Sequence, residues 1–92
     1  MSTKPTELLK VSGKSDPQKV ASAIAHSVYE GKDVVVRSIG AGAVNQAVKA
    51  VCIARGFTAA RGFDLAIRPG FETVAMTDGS DMSAIVFNIV VS

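Results

Sequence analysis

The sequence predicts a two-layer α/β (α+β) domain: a four-stranded mixed sheet with two helices on one face, in the order β-α-β-α-β-β. Three observations carry this expectation. Val34-Val35-Val36 has the pattern of a buried strand and runs into a Gly40-Ala41-Gly42 turn, then an amphipathic stretch. An earlier Asp16-Pro17 start signal opens a helical stripe. Asp78-Gly79 separates two apolar runs in the way a hairpin turn does. Ninety-two residues fit one domain.

Residues 1–6 are polar, carry Pro5 and are expected to form a disordered tail, leaving residues 7–92 as the single domain. Residues 7–12 read as the first strand, with Leu9 and Val11 on one side and Leu8, Lys10 and Ser12 on the other. Gly13-Lys14-Ser15 is a loop. Ser15 or Asp16 caps the first helix, and Pro17 suits its first turn. That helix runs to about Glu30, with Gly31 as the stop, and buries Val20, Ala21, Ile24, Ala25 and Val28. Lys19, Ser22 and His26 face water.

Residues 33–39 form the second strand, and their consecutive valines predict a central position covered on both faces. A right-handed crossover makes it parallel to the first. The second helix is expected from about Ala43 to a stop at Gly56. At 100° per residue, Val44, Ala47, Val48, Val51 and Ala54 share the sheet-facing side. Asn45, Gln46, Lys49 and Ile53 share the opposite one, where the isoleucine has no core to enter.

A loop at residues 58–62 holds Arg61, and residues 64–77 and 82–91 make a long hairpin. A two-residue Asp78-Gly79 turn sets Thr77 opposite Ser80, Met76 opposite Asp81, Val74 opposite Ser83, Glu72 opposite Ile85 and Phe71 opposite Val86. Pro69 predicts an edge strand or a bend. In an unbroken register Ile85, Phe87 and Ile89 lie opposite the face of Ile67, Phe71, Val86 and Val90, so both faces are apolar. A bulge at Pro69-Gly70 reassigns some of these residues. Either arrangement leaves more apolar strand surface than two short helices cover, which predicts a homodimer or higher homo-oligomer.

Ten basic and eight acidic residues give a net charge of +2, far from the charge density of a protein that coats DNA unaided. Aromatic residues are few: four Phe, one Tyr and no Trp. One cysteine excludes an intrachain disulfide, and Cys52 reads as a small helix residue in a reducing cytosol. No signal peptide or bilayer-length apolar run is evident, so a cytoplasmic, non-membrane protein is expected.

Enzyme signatures fail. Gly40-Ala41-Gly42 opens a dinucleotide fingerprint, but Asn45 stands at the third glycine position. Gly13-Lys14-Ser15 has the end of a P-loop without its upstream glycine. No catalytic triad, paired carboxylates or metal-ligand spacing is present, so no catalytic residue, cofactor, metal or small-molecule substrate is expected.

The runs Ile39-Gly40-Ala41-Gly42-Ala43, Asn45-Gln46-Ala47-Val48-Lys49-Ala50 and Ile53-Ala54-Arg55-Gly56 resemble the stage V sporulation protein S family. Leu9-Lys10-Val11-Ser12, Lys14-Ser15, Pro17, Val20, Ala21, Phe63-Asp64-Leu65 and Pro69 extend the likeness. The resemblance implies an Alba-like α/β fold, a role in sporulation or developmental regulation, and nucleic-acid binding by DNA or RNA. The acidic tip Asp78-Gly79-Ser80-Asp81 departs from the pattern and argues against a phosphate contact there.

Parallel first and second strands bring Lys14, just after the first, and Arg37, near the end of the second, to one sheet end, beside the glycine turn; Lys10 is a further candidate cation. Ser12, Ser15 and Asn45 add donors, and Lys49 adds a further cation. Lys10, Ser12, Lys14, Ser15, Arg37, Asn45 and Lys49 are therefore the expected nucleic-acid contacts. With few aromatics, such binding is led by the phosphate backbone and weakly sequence-specific. The alternative is a protein-interaction module using Asn45, Gln46, Lys49 and Ile53 as its interface.

Overall fold

A computed structural model describes residues 4–92. Its elements are β1 (Thr6–Val11), α1 (Pro17–Tyr29), β2 (Asp33–Ser38), α2 (Ala41–Ala59), β3 (Leu65–Ala75) and β4 (Asp81–Val91). They form one four-stranded sheet in the order β1-β2-β4-β3, with β1 parallel to β2 and the other pairs antiparallel. The two-layer architecture agrees with the sequence expectation. Part of the expected tail, residues 1–3, lies outside the described residues. The rest joins the sheet: Thr6 opens β1, and the Pro5 carbonyl accepts from the Asp33 amide.

Side chains alternate across strands. Leu9, Val11, Val34, Val36, Leu65 and Phe87 point toward the helices and join Ala21, Ile24 and Val28 of α1 and Ala47, Ala50, Val51 and Ala54 of α2 in the core. The opposite face has no helix. Val35 lies there and is half-buried, so the valine run of β2 is covered on one side rather than two.

Local chemistry fixes the start of α1. The Asp16 carboxylate accepts from the Gln18 amide, and Pro17 follows it. Such a cap contributes about 1 kcal/mol. The helix ends before Gly31, whose φ of 76° only glycine adopts readily.

α2 departs from expectation at both ends. It begins at Ala41, and it passes through Gly56 to Ala59. A mid-helix glycine costs about 1 kcal/mol, and the stripe continuing from Ala54 to the fully buried Thr58 offsets it. The chain turns at Gly62 instead. There the Arg61 and Phe63 amides both donate to the Thr58 carbonyl, and the Gly62 amide donates to that of Ala59. Arg55 sits a turn before the end and pairs with Asp64 at 3.1 Å.

The buried arc of α2 is also rotated. Ala43, Ala47, Ala50, Val51, Ala54 and Thr58 are buried, Val44 is half-buried, and Val48 is exposed. Packing against α1 as well as the sheet is the cause. It draws alanines inward and leaves Ile53 half-buried against the core, so Ile53 does have a core to enter.

The hairpin closes through three residues rather than two. Met76 donates to the Ser80 carbonyl and accepts from the Gly79 amide, Gly79 has φ 89°, and Asp78 accepts from both the amide and the hydroxyl of Ser80. Those two bonds, the hydroxyl first, hold the Asp78 carboxyl below the usual carboxylate range. One extra loop residue moves the register by one, and in a pleated sheet that exchanges faces. Phe71 pairs with Ile85, Glu72 with Ala84, and Val74 with Met82. Pairing is continuous through Pro69 and Gly70, so there is no bulge, and Pro69 lies on an edge strand as expected. Leu65, Ile67, Phe71, Ile85, Phe87 and Ile89 all lie on the helix side, while the bare side keeps Val35, Ala84, Val86 and Val90 beside Arg68, Glu72 and Asn88, so both faces remain apolar with a different membership.

Candidate functional site

The site grows from the ends of β1 and β2. Lys10 and Arg37 are register partners on the helix-free face. With Ser12, Gly13 and Ile39 they line a pocket of about 270 Å3. Arg37 is not a free cation. Its guanidinium Nη1 donates to Glu72 Oε1 at 2.9 Å, and its side chain is 20% exposed. Arg37 and Glu72 are on the same face as Val86 and Ala84, which are 9% and 0% exposed with no helix above them. The ion pair spans β4 at these two residues, Arg37 being the register partner of Val86 and Glu72 that of Ala84.

Beyond Val11 the loop is tied to itself. The Ser12 amide donates to Ser15 Oγ at 2.9 Å, the Lys14 amide donates to Ser12 Oγ at 3.2 Å, and the Ser15 amide donates to the Ser12 carbonyl. Both hydroxyl oxygens act as acceptors here, and they also share a hydrogen bond with each other at 3.4 Å, which leaves one hydroxyl proton able to donate outward. Lys14 is exposed at the tip.

The loop is also held against α2. A Cβ placed on Gly42 would stand 3.6 Å from Gly13 Cα, so the two backbones nearly touch. Gln46 Nε2 donates to the Ser15 carbonyl at 2.9 Å. Gly40 precedes the helix with φ 92° and provides no side-chain cap. The first-turn amides of α2 therefore lie beside the loop without a capping side chain.

These contacts sort the expected residues. Lys10, Ser12, Lys14, Ser15 and Arg37 converge at one sheet end. Asn45 and Lys49 are exposed further along α2 and belong to other surfaces: Asn45 to a groove with Val44, Val48, Phe71 and Ile85, Lys49 to a shallow site with Pro17 and Ile53. Gln46 is used inside the protein, and Ile53 is half-buried, so the expected Asn45-Gln46-Lys49-Ile53 face keeps only two exposed members. Arg61 lies 4.1 Å above the Tyr29 ring, apart from this cluster.

Two features escaped the sequence reading. Glu72, 35 residues from Arg37, is the acid that holds it. Phe71 is 84% exposed. The uncharged groove beside it measures about 640 Å3. The one available signal was the turn length, since a three-residue loop would have set Phe71 beside Ile85.

A model of the family described as Stage V sporulation protein S (SpoVS) matches residues 7–92. The chain belongs to the SpoVS family. Among solved structures, Alba from Thermoplasma volcanium superposes with a TM-score of 0.59 at 18% sequence identity, covering 94% of this chain and 99% of that one. At that identity the likeness is one of fold, and the SpoVS domain is Alba-like in its β-α-β-α-β-β arrangement. No helix among the described residues is long and apolar enough to cross a membrane.

Proposed function

We propose that this SpoVS domain is a sporulation or developmental regulator that binds nucleic acid through phosphates and acts as a homodimer. The observation that carries the reading is that Lys10 stands near the end of β1 beside Arg37 and that the loop after it, which holds Lys14, packs against the uncapped start of α2. Two point charges, one hydroxyl donor and backbone N–H groups make a surface suited to phosphate oxygens and indifferent to base identity. The likeness to Alba in fold and membership of the SpoVS family support the same reading. The homodimer face is the groove of Val44, Val48, Phe71 and Ile85 rather than the outer side of α2.

The test is gel retardation of a short DNA duplex and of single-stranded RNA, at about 50 and about 200 mM salt. Retardation at low salt that is lost at high salt is expected. Unchanged mobility at low salt, with folded protein in excess, defeats the reading and leaves the protein-interaction module. Glu72→Gln adds a finer check. Releasing Arg37 from its carboxylate is expected to tighten duplex binding several-fold at low salt and to steepen the salt slope by about 0.9 per phosphate gained. Weaker binding in Glu72→Gln would mean that the ion pair positions Arg37 for contact.

A further inference from the structure

The ladder between β2 and β4 runs from Ser38↔Ile85 to Val35↔Asn88 and stops there. β1 stays paired with β2 down to Thr6↔Asp33, and β3 with β4 out to Leu65↔Val91. At this end the sheet therefore divides into two strand pairs. A cleft of about 430 Å3 occupies the division, with Thr6, Lys32, Val35, Arg68 and Asn88 among its walls. Pockets of about 300–1,000 Å3 hold small ligands.

Three cations and one carboxylate line the cleft: Lys4, Lys32 and Arg68 against Asp33. Arg68 and Asn88 are register partners, which sets a guanidinium and an amide side by side. Among the described residues no carboxylate pairs with Arg68. Lys32 contributes a second cation, 3.4 Å from Glu30. Lys4 and Asp33, the latter the register partner of Thr6, also line the cleft, and each is already engaged within the protein. No aromatic ring lines the cleft, so nothing there stacks a base.

We infer that this cleft is a phosphate-binding site separate from the Lys10–Lys14 end of the sheet. The Arg68 fork takes two oxygens of one phosphate. The Asn88 amide and the Thr6 hydroxyl donate to the rest, and Lys32 adds attraction at longer range. Thr6 and Lys10 are four residues apart on β1, about 13 Å at the rise of a strand. The two sites thus do not share one phosphate. The ligand is either a compact phosphorylated small molecule or a phosphodiester of a nucleic-acid strand, and in both cases the group recognised is the phosphate.

The experiment is a titration of the isotopically labelled chain with pyrophosphate, followed through backbone amide resonances. Saturable shifts at Val34, Asn88 and Val90 are expected. Arg68→Gln is expected to weaken them at least about tenfold, the loss of one bidentate pair. Lys19→Gln, the same charge change on the exposed side of α1, is expected to leave them intact. Single-stranded RNA that displaces pyrophosphate from these amides identifies a nucleic-acid phosphodiester. RNA that leaves them in place identifies a free phosphorylated molecule. Absence of shifts at about 10 mM pyrophosphate, or equal saturation in Arg68→Gln, overturns the assignment.

Discussion

Phe71→Ser is expected to convert a dimeric SpoVS domain into a folded monomer. Phe71 is 84% exposed, so the fold gains little from its ring within one chain. Beside it Val44, Val48 and Ile85 line an open groove that contains no charged side chain. A knob next to an apolar hollow is self-complementary about a two-fold axis, because each copy supplies both parts. Burying one such ring is worth about 1.5–3 kcal/mol. The two-fold doubles this, so the dimer dissociation constant should rise by about 10²- to 10⁴-fold. Sedimentation velocity across a concentration series reads the change, and circular dichroism confirms that the variant is folded. A Phe71→Ser protein that sediments as a dimer at all concentrations removes this face from the assembly.

Lys10→Ala/Lys14→Ala is expected to abolish most of the salt-dependent part of nucleic-acid binding. Both side chains are exposed and neither forms an ion pair among the described residues, so the fold should not notice their loss. Each lysine on a phosphate of duplex DNA contributes about 0.9 to the slope of log K against log salt. Two per protomer in a dimer contribute about 3.6. Between 50 and 200 mM salt this slope is worth about 10²-fold in affinity. The gap between wild type and variant should therefore be wide at low salt and close as salt rises. A variant that binds more weakly with the wild-type slope would show that the lysines shape the loop rather than touch phosphate.

The two predictions differ in how far the sequence foresaw them. The rule about parallel neighbours sets Lys14 and Arg37 near one sheet end, and the parallel register Lys10↔Arg37, Val11↔Ser38 just before the Lys14 loop agrees with it. The same reading set Phe71 against Val86. Asp78-Gly79 signalled a turn correctly, but not whether Thr77 lay inside it. That one residue decided which side of the sheet Phe71, Glu72 and Arg68 occupy. It thereby decided the dimer face, the Arg37 ion pair and the cleft at Arg68.

α2 shows the same limit. A helical wheel finds an apolar side but treats the environment as one plane. Here two surfaces press on the helix, the sheet and α1. The buried arc is consequently wider and alanine-rich, with Val48 left outside and Ile53 drawn half in. Gly56 carried a stop signal that the buried Thr58 overrode.

The sequence by itself determined the order and kind of the elements, a cap at Ser15 or Asp16 and the parallel β1–β2 pair, and its motifs carried the family. The structural features among these depend on interactions between residues close in the chain, or on a topological rule with few exceptions. Tertiary structure alone decided which side of the sheet is bare, that Glu72 restrains Arg37, that Gln46 holds the β1–α1 loop, and that Phe71 has nothing above it. Those outcomes depend on contacts between distant segments, where a register shift of a single residue reverses every side chain and local preference supplies no correction.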